Sequence, residues 1–197
     1  MQKIMFNEQF GLQQATLDKT KDMTRRVALK DPVEDMNVGY DTKTQQCIIC
    51  SGNRIVARST YAVGEVVAVA QRYSQIISAI TNRFAPHSKD WMRDEAGWNN
   101  KMFVKAEYMP HHIKIIDIKV EPLCGISDED CLKEGIYIRT DVITSQMEDV
   151  IRYQYHGSPR LFKTPYEAYK DLIDRLNHCG FFETNPIVFV YTYELID

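Results

Sequence analysis

No apolar run in this chain approaches the ~20 residues that a membrane-crossing helix needs. The opening stretch, MQKIMFNEQF, lacks the uninterrupted apolar core of a secretory signal, because Lys3, Asn7 and Glu8 break it. A cytoplasmic protein without a membrane partner is therefore expected. Cysteine is sparse: five among 197 residues, an odd number, which argues against a dense disulfide framework and for reduced thiols. A cationic excess is missing too. With 24 Lys and Arg against 27 Asp and Glu the net charge is −3, so any nucleic-acid contact has to use a local basic patch. Internal repeats and low-complexity segments are absent. There is no G-x-G-x-x-G, no P-loop and no H-E-x-x-H, so no cofactor is expected by those routes.

What is present reads as an ordinary folded domain, 44% apolar and 26% charged. The length suits one domain over 1–197, long enough to bury a core without metal or disulfide staples. Strand-like runs are KIMFN, DMTRRVAL, GEVVAVAQRY, HIKIIDIKVEPL and NPIVFVYTYELI, and CIICSGNRIVA reads as a hairpin turning at Ser51-Gly52-Asn53. In HIKIIDIKVEPL, Lys114, Ile116, Ile118 and Val120 make the cleaner apolar face. FGLQQATLD suits a short helix. Two more helices carry start signals: Ser127 with Asp130 in SDEDCLKEG, and Thr164, Pro165 and Glu167 in TPYEAYKDLIDRLNHCG. Tyr166, Tyr169, Leu172, Ile173 and Leu176 form the apolar stripe of the second. The fold class expected is α+β, a mixed or antiparallel barrel with short flanking helices. Insertions are expected near 30–60, 84–100 and 136–162.

Cys47-Ile-Ile-Cys50 is the one hint of a metal. Zinc needs four ligands, and Cys124 and Cys131 have the wrong separation for a second knuckle. On a strand the two thiols of Cys47 and Cys50 point to opposite faces, so no metal site is expected. The stretch DKTKDMTRRV is more informative. Thr24 and Arg26 share one strand face, and Lys21 precedes the strand, so an amine, a hydroxyl and a guanidinium could meet in one pocket. A threonine hydroxyl needs a base to become a nucleophile, and a lysine serves only if burial or nearby cations such as Arg25 and Arg26 lower its pKa. A solvated cationic turn is the competing reading. Glu134 closes its helix just before Gly135, where the helix dipole disfavours a carboxylate by about 0.3–1 kcal/mol. It calls for a cationic partner, or else lies in solvent.

Taken together, LDKTKDMTRR, YAVGEVVAV, NKMFVKAEYMPHHIKIIDIKVEPLCGISDEDCLKEGI, TPYEAYKDLIDRL and NPIVFVYTYEL resemble an ASCH-domain protein of the PUA-like superfamily, in the longer form found in phages and prophages. The likeness spans most of the chain, leaving out 30–60 and 136–160. The family signature G-x-K-x-x-E/T-x-R falls on Lys19, Lys21, Thr24 and Arg26, with Lys19 standing where the family has glycine. The resemblance implies a PUA-like β-barrel. Through the threonine-bearing branch, it also implies an amidohydrolase that deacylates acetylated cytidine, with Lys21 as base, Thr24 as nucleophile and Glu134 assisting.

Two classes of function remain open. In the binding class, an RNA or nucleotide module uses Lys21, Arg25 and Arg26 on phosphate and stacks bases on aromatic side chains such as Tyr73, Trp91 or Trp98. In the enzyme class, Lys21, Thr24 and Glu134 hydrolyse an N-acylated nucleoside. A phage protein that binds a host protein is a third option that no residue here tests.

Overall fold

The computed structural model describes residues 1–83, 89–139 and 151–197. Residues 84–88 and 140–150, parts of two of the expected insertions, lie outside the described residues.

The main sheet has five strands. In spatial order they are β1 (Lys3–Ile4), β6 (Val66–Val69), β7 (His112–Pro122), β10 (Ile187–Leu195) and β2 (Met23–Leu29). β1 pairs in parallel with β6, and the other neighbours are antiparallel. A three-stranded antiparallel sheet, β3 (Met36–Asp41), β4 (Gln46–Ser51) and β5 (Arg54–Arg58), occupies the expected insertion near 30–60. Its hairpin turns through Gly52 at φ +55°, a conformation that suits glycine. Cys47 and Ile49 of β4 join the same core as β10, so the small sheet packs on the main one. The remaining strands, β8 (Tyr137–Arg139) and β9 (Arg152–Gln154), pair with each other. The α+β class expected from the sequence stands. A closed barrel is not seen: among the described residues no strand pairing joins the edges β1 and β2.

Local chemistry explains why β1 is so short. The Asn7 carbonyl accepts from Leu12 N–H and its side chain from Phe10 N–H, which turns the chain into helix α1 (Leu12–Leu17) instead of extending KIMFN. The strand expected over GEVVAVAQRY also stops early. Gln75 reaches back to the Arg72 N–H and starts helix α2 (Tyr73–Arg83), the returning half of a capping box. Helix α3 (Lys89–Asp94) follows. The other two helices begin where their caps place them. Ser127 accepts from Asp130 N–H at α4 (Asp128–Lys133), and Thr164 from Glu167 N–H at α5 (Pro165–Leu176).

β7 corrects one reading. Ile113 and Ile115 are fully buried, whereas Ile116 is 44% exposed; Ile118 and Val120 then return to the core. A β-bulge accounts for the switch, since Tyr193 opposes Ile115 and Thr192 opposes Asp117, leaving Ile116 unmatched. The extra residue flips the inward parity midway along the strand. Ile115→Ala should therefore cost about 2–5 kcal/mol in urea unfolding, and Ile116→Ala less than about 0.5 kcal/mol. Equal losses would place the bulge elsewhere.

Candidate functional site

Three separate stretches converge beside the β2 edge. After α1 the chain turns through Lys19, which adopts φ +59°, a left-handed conformation costly for a residue with a Cβ. That turn carries Lys21 inward until only 2% of it is exposed. Its ammonium makes three hydrogen bonds: to the Met23 carbonyl at 2.5 Å, the Glu134 carbonyl at 3.0 Å and Glu134 Oε2 at 2.6 Å. Three is the full donor complement of an ammonium. Two of them satisfy the C-terminal end of α4, where Glu134 is the capping residue and its carbonyl would otherwise lack a partner. Gly135 follows at φ +99°, and a Cβ there would sit 3.2 Å from a Leu12 methyl and 3.6 Å from Lys21 Cδ. Glycine thus allows both the turn and the close approach of Lys21 to the helix end.

The cationic partner that Glu134 called for is in fact two cations. Arg25 donates to Glu134 Oε1 at 3.0 Å, to Glu121 Oε1 at 2.6 Å and to Asp130 Oδ2 at 3.1 Å. Lys119 reaches Glu121 and Asp130 in turn, at 3.2 and 3.1 Å. The result is one network linking β2, β7 and α4, and the Arg25 side chain is only 2% exposed within it. Its guanidinium is engaged by carboxylates and faces no open solvent, so a phosphate would have to displace them. Arg26 is different. It is exposed, lies 6.0 Å from the Phe6 ring centroid and donates to the Met5 carbonyl at 2.6 Å.

A cavity of about 100 Å³ opens where these groups meet. Lys21, Thr24, Arg26 and Glu134 line it from the β2 and α4 side. Tyr169, Leu172 and Leu176 form the α5 wall, and Met5 and Phe6 close it at the start of the chain. A second hollow of about 260 Å³ shares Arg25, Arg26, Ile173 and Leu176 with it and extends past Asn177 and Phe181. The two adjoin between β2 and α5, a smaller inner hollow lined by the buried Lys21 and Glu134 beside a larger outer one. The inner end is smaller than the roughly 300–1,000 Å³ of pockets that hold drug-sized ligands.

Two hydroxyls in this cavity are uncommitted. Thr24 is buried, yet among the described residues its hydroxyl makes no hydrogen bond. Tyr169 is buried on α5, and its phenol has no hydrogen-bond partner among them either. Burial, reinforced by the charge of Glu134, raises the Tyr169 pKa well above the ordinary tyrosine value, so the group stays a neutral O–H. Burial likewise lowers the Lys21 pKa from its usual 10.5, against the pull of Glu134 and with help from Arg26 and Arg25. Cys131, behind the network on α4, is pushed up to about 12 by burial first and by Asp128 next, and so keeps its proton. Cys131 therefore offers no thiolate in this neighbourhood.

Of the residues singled out from the sequence, Lys21, Thr24, Arg25, Arg26 and Glu134 come together. Tyr73, Trp91 and Trp98 do not. Tyr73 packs against Trp91 and Tyr108 at ring separations of 5.6 and 6.1 Å, and Trp98 packs on the same second cluster, around Ala68, Ile76 and Met92. That cluster adjoins the cavity through Met5, but none of its rings lines the cavity. Cys47 is buried in the core and Cys50 half-buried, both free thiols, and among the described residues no group of three or more His, Cys, Asp or Glu is arranged to hold a metal ion. No described helix is long and apolar enough to cross a membrane. Sequence reasoning missed Glu121, Asp130 and Tyr169. Only Tyr169 had a signal, a phenol within an apolar helical stripe, and periodicity does not reveal whether a hydroxyl finds a partner. Comparison of the chain with protein-family models, with curated proteins and with solved structures finds no match.

Proposed function

We propose that this cleft binds the base of an N-acylated cytidine-type nucleoside and hydrolyses its amide, as in the ASCH amidohydrolases that the sequence resembles. The observation that carries the proposal is the convergence of Lys21, Glu134 and the uncommitted Thr24 hydroxyl on one buried cavity. The Lys21 Nζ bond to the carbonyl of Met23 also sets the amine beside the backbone that leads into Thr24.

The chemistry follows from the protonation states. Lys21 with three acceptors is an ammonium, so it becomes a base only after losing a proton, a loss eased by the burial that lowers its pKa. The amine then takes the Thr24 proton as Oγ1 attacks the acyl carbonyl carbon, with Arg26 or a backbone N–H donating to the oxyanion. Collapse breaks the C–N bond, and the Lys21 proton goes to the leaving amine. Water then cleaves the threonyl ester, regenerating the hydroxyl and releasing the carboxylic acid.

The direct test incubates the protein with a panel of acylated nucleosides and reads the products by mass spectrometry. Release of free cytidine is expected, and an inert wild type on every member would end the hydrolase reading. A pH profile examines Lys21 itself. Its pKa in the folded state lies below 10.5, so kcat/KM should rise with pH to a midpoint below that value. The sign for stability is the same. Between the lowered folded pKa and 10.5 the unfolded chain holds more protons at this site, so the Lys21 contribution to stability rises with pH through that window. A flat kcat/KM over roughly pH 6 to pH 10 would remove Lys21 as the base.

A second reading, single-stranded RNA or nucleotide binding in a PUA-like manner, draws on the exposed Arg26 at the mouth of the outer hollow. It is weaker, because the aromatic side chains that would stack successive bases lie in another cluster.

A further inference from the structure

We infer that Tyr169 is the ligand-orienting donor of this cleft, its O–H meeting a carbonyl-bearing edge of the ligand. The inference rests on the deacylase reading above for its substrate but on separate observations for its residue. Buried polar groups in folded proteins almost always have partners, and an orphan at a cavity wall calls for an explanation. Among the described residues three side-chain polar atoms that are themselves shut off from solvent lack one, and of the three residues concerned Tyr169 alone lines a cavity containing the converged charged groups.

The neighbouring groups exclude the simpler roles. The phenol stays neutral beside Glu134, so it offers a proton and not a charge. All three Lys21 protons are taken by Met23 and Glu134, and Arg25 is held by Glu121, Asp130 and Glu134. The inner cavity therefore presents two hydroxyls, Thr24 and Tyr169, and a single cation that no carboxylate among the described residues holds, the exposed Arg26, which donates to the Met5 carbonyl. Lys21 and Arg25 are open to an anionic head group only if the carboxylate network breaks. A carbonyl oxygen needs only the Tyr169 O–H. With Thr24 on β2 and Tyr169 on α5, the ligand is met by one hydroxyl from each side of the cleft.

The test compares wild type with Tyr169→Phe, which removes one oxygen and keeps the ring. Because the phenol bonds none of the described residues, the unliganded variant should melt at the same temperature as wild type or higher. Binding of acetylated cytidine, of cytidine and of N-methylacetamide is measured by calorimetry, with turnover of the first. Loss of the donor against a buried carbonyl should weaken Kd and raise KM by about 10- to 100-fold, with kcat changed less than about threefold. A lower melting temperature with unchanged Kd would make Tyr169 structural and overturn the inference. A loss confined to kcat would make it a transition-state donor and also overturn the orienting role. Turnover by wild type with an unaffected variant rejects Tyr169 alone. Wild-type binding of N-methylacetamide but not of either nucleoside, weakened in the variant, keeps Tyr169 and rejects the nucleoside substrate. No binding of any probe by wild type rejects both.

Discussion

Replacing Glu134 by alanine should destabilise the protein by about 3–5 kcal/mol, the cost of removing one partner from a buried ion pair. Lys21 would keep two carbonyl acceptors, but its charge would be left in a site where only 2% of the residue reaches water. Arg25 would lose one of its three carboxylates. A loss of that size is a large share of the roughly 5–15 kcal/mol that holds a domain of this kind folded, so urea unfolding at neutral pH would show it plainly. Glu134→Gln should cost less, since the amide oxygen still accepts from Lys21. Replacing Lys21 by methionine and Glu134 by leucine together should recover part of the loss, because an apolar pair leaves Lys21 and Glu134 no uncompensated charge, while Arg25 retains Glu121 and Asp130. A Glu134→Ala variant within 1 kcal/mol of wild type, on the order of a surface pair, would mean that Lys21 and Glu134 are not buried together.

Thr24→Ala should lower turnover of acetylated cytidine by about 10³-fold or more, equivalent to roughly 4 kcal/mol of transition-state stabilisation. The fold should survive. The Thr24 hydroxyl bonds no described residue, so its removal leaves no orphaned partner. Thr24→Ser keeps the oxygen and should retain most of the activity. The pair of variants separates nucleophile from packing: a role for the Thr24 methyl predicts that Ser and Ala fail alike, whereas a nucleophile predicts that Ser works and Ala does not. Full activity in Thr24→Ala, measured by steady-state kinetics, would remove Thr24 from the reaction. Large losses in both variants with unchanged melting temperature would leave the methyl positioning the ligand.

Much of the site was legible before any coordinates. Lys21, Thr24 and Arg26 sit within six residues, so their proximity follows from local geometry. An acid at a helix C-terminus next to glycine is electrostatically conspicuous, and Glu134 proved to hold two cations. The role of Arg25 was not legible. Strand alternation puts it on the face opposite Thr24 and Arg26, but β2 is an edge strand and a long side chain there reaches α4 and β7. Alternation failed in β7 for a related reason, since the bulge at Ile116 depends on how β10 pairs with it and not on the isoleucines themselves.

By itself, the sequence determined the α+β class, the helix starts at Ser127 and Thr164, the hairpin at Gly52 and the polar side chains that line the cleft. These depend on caps, turns and side-chain types, which act over a few residues. Tertiary structure alone decided that the main sheet stays open and that Tyr73 and Trp98 pack away from the cleft. It also decided that Glu121 and Asp130 neutralise Arg25, and that the Tyr169 hydroxyl is left without a partner. Each of these depends on which distant segments meet, and on whether a buried polar group finds its complement there. Neither is encoded in the spacing of residues along the chain.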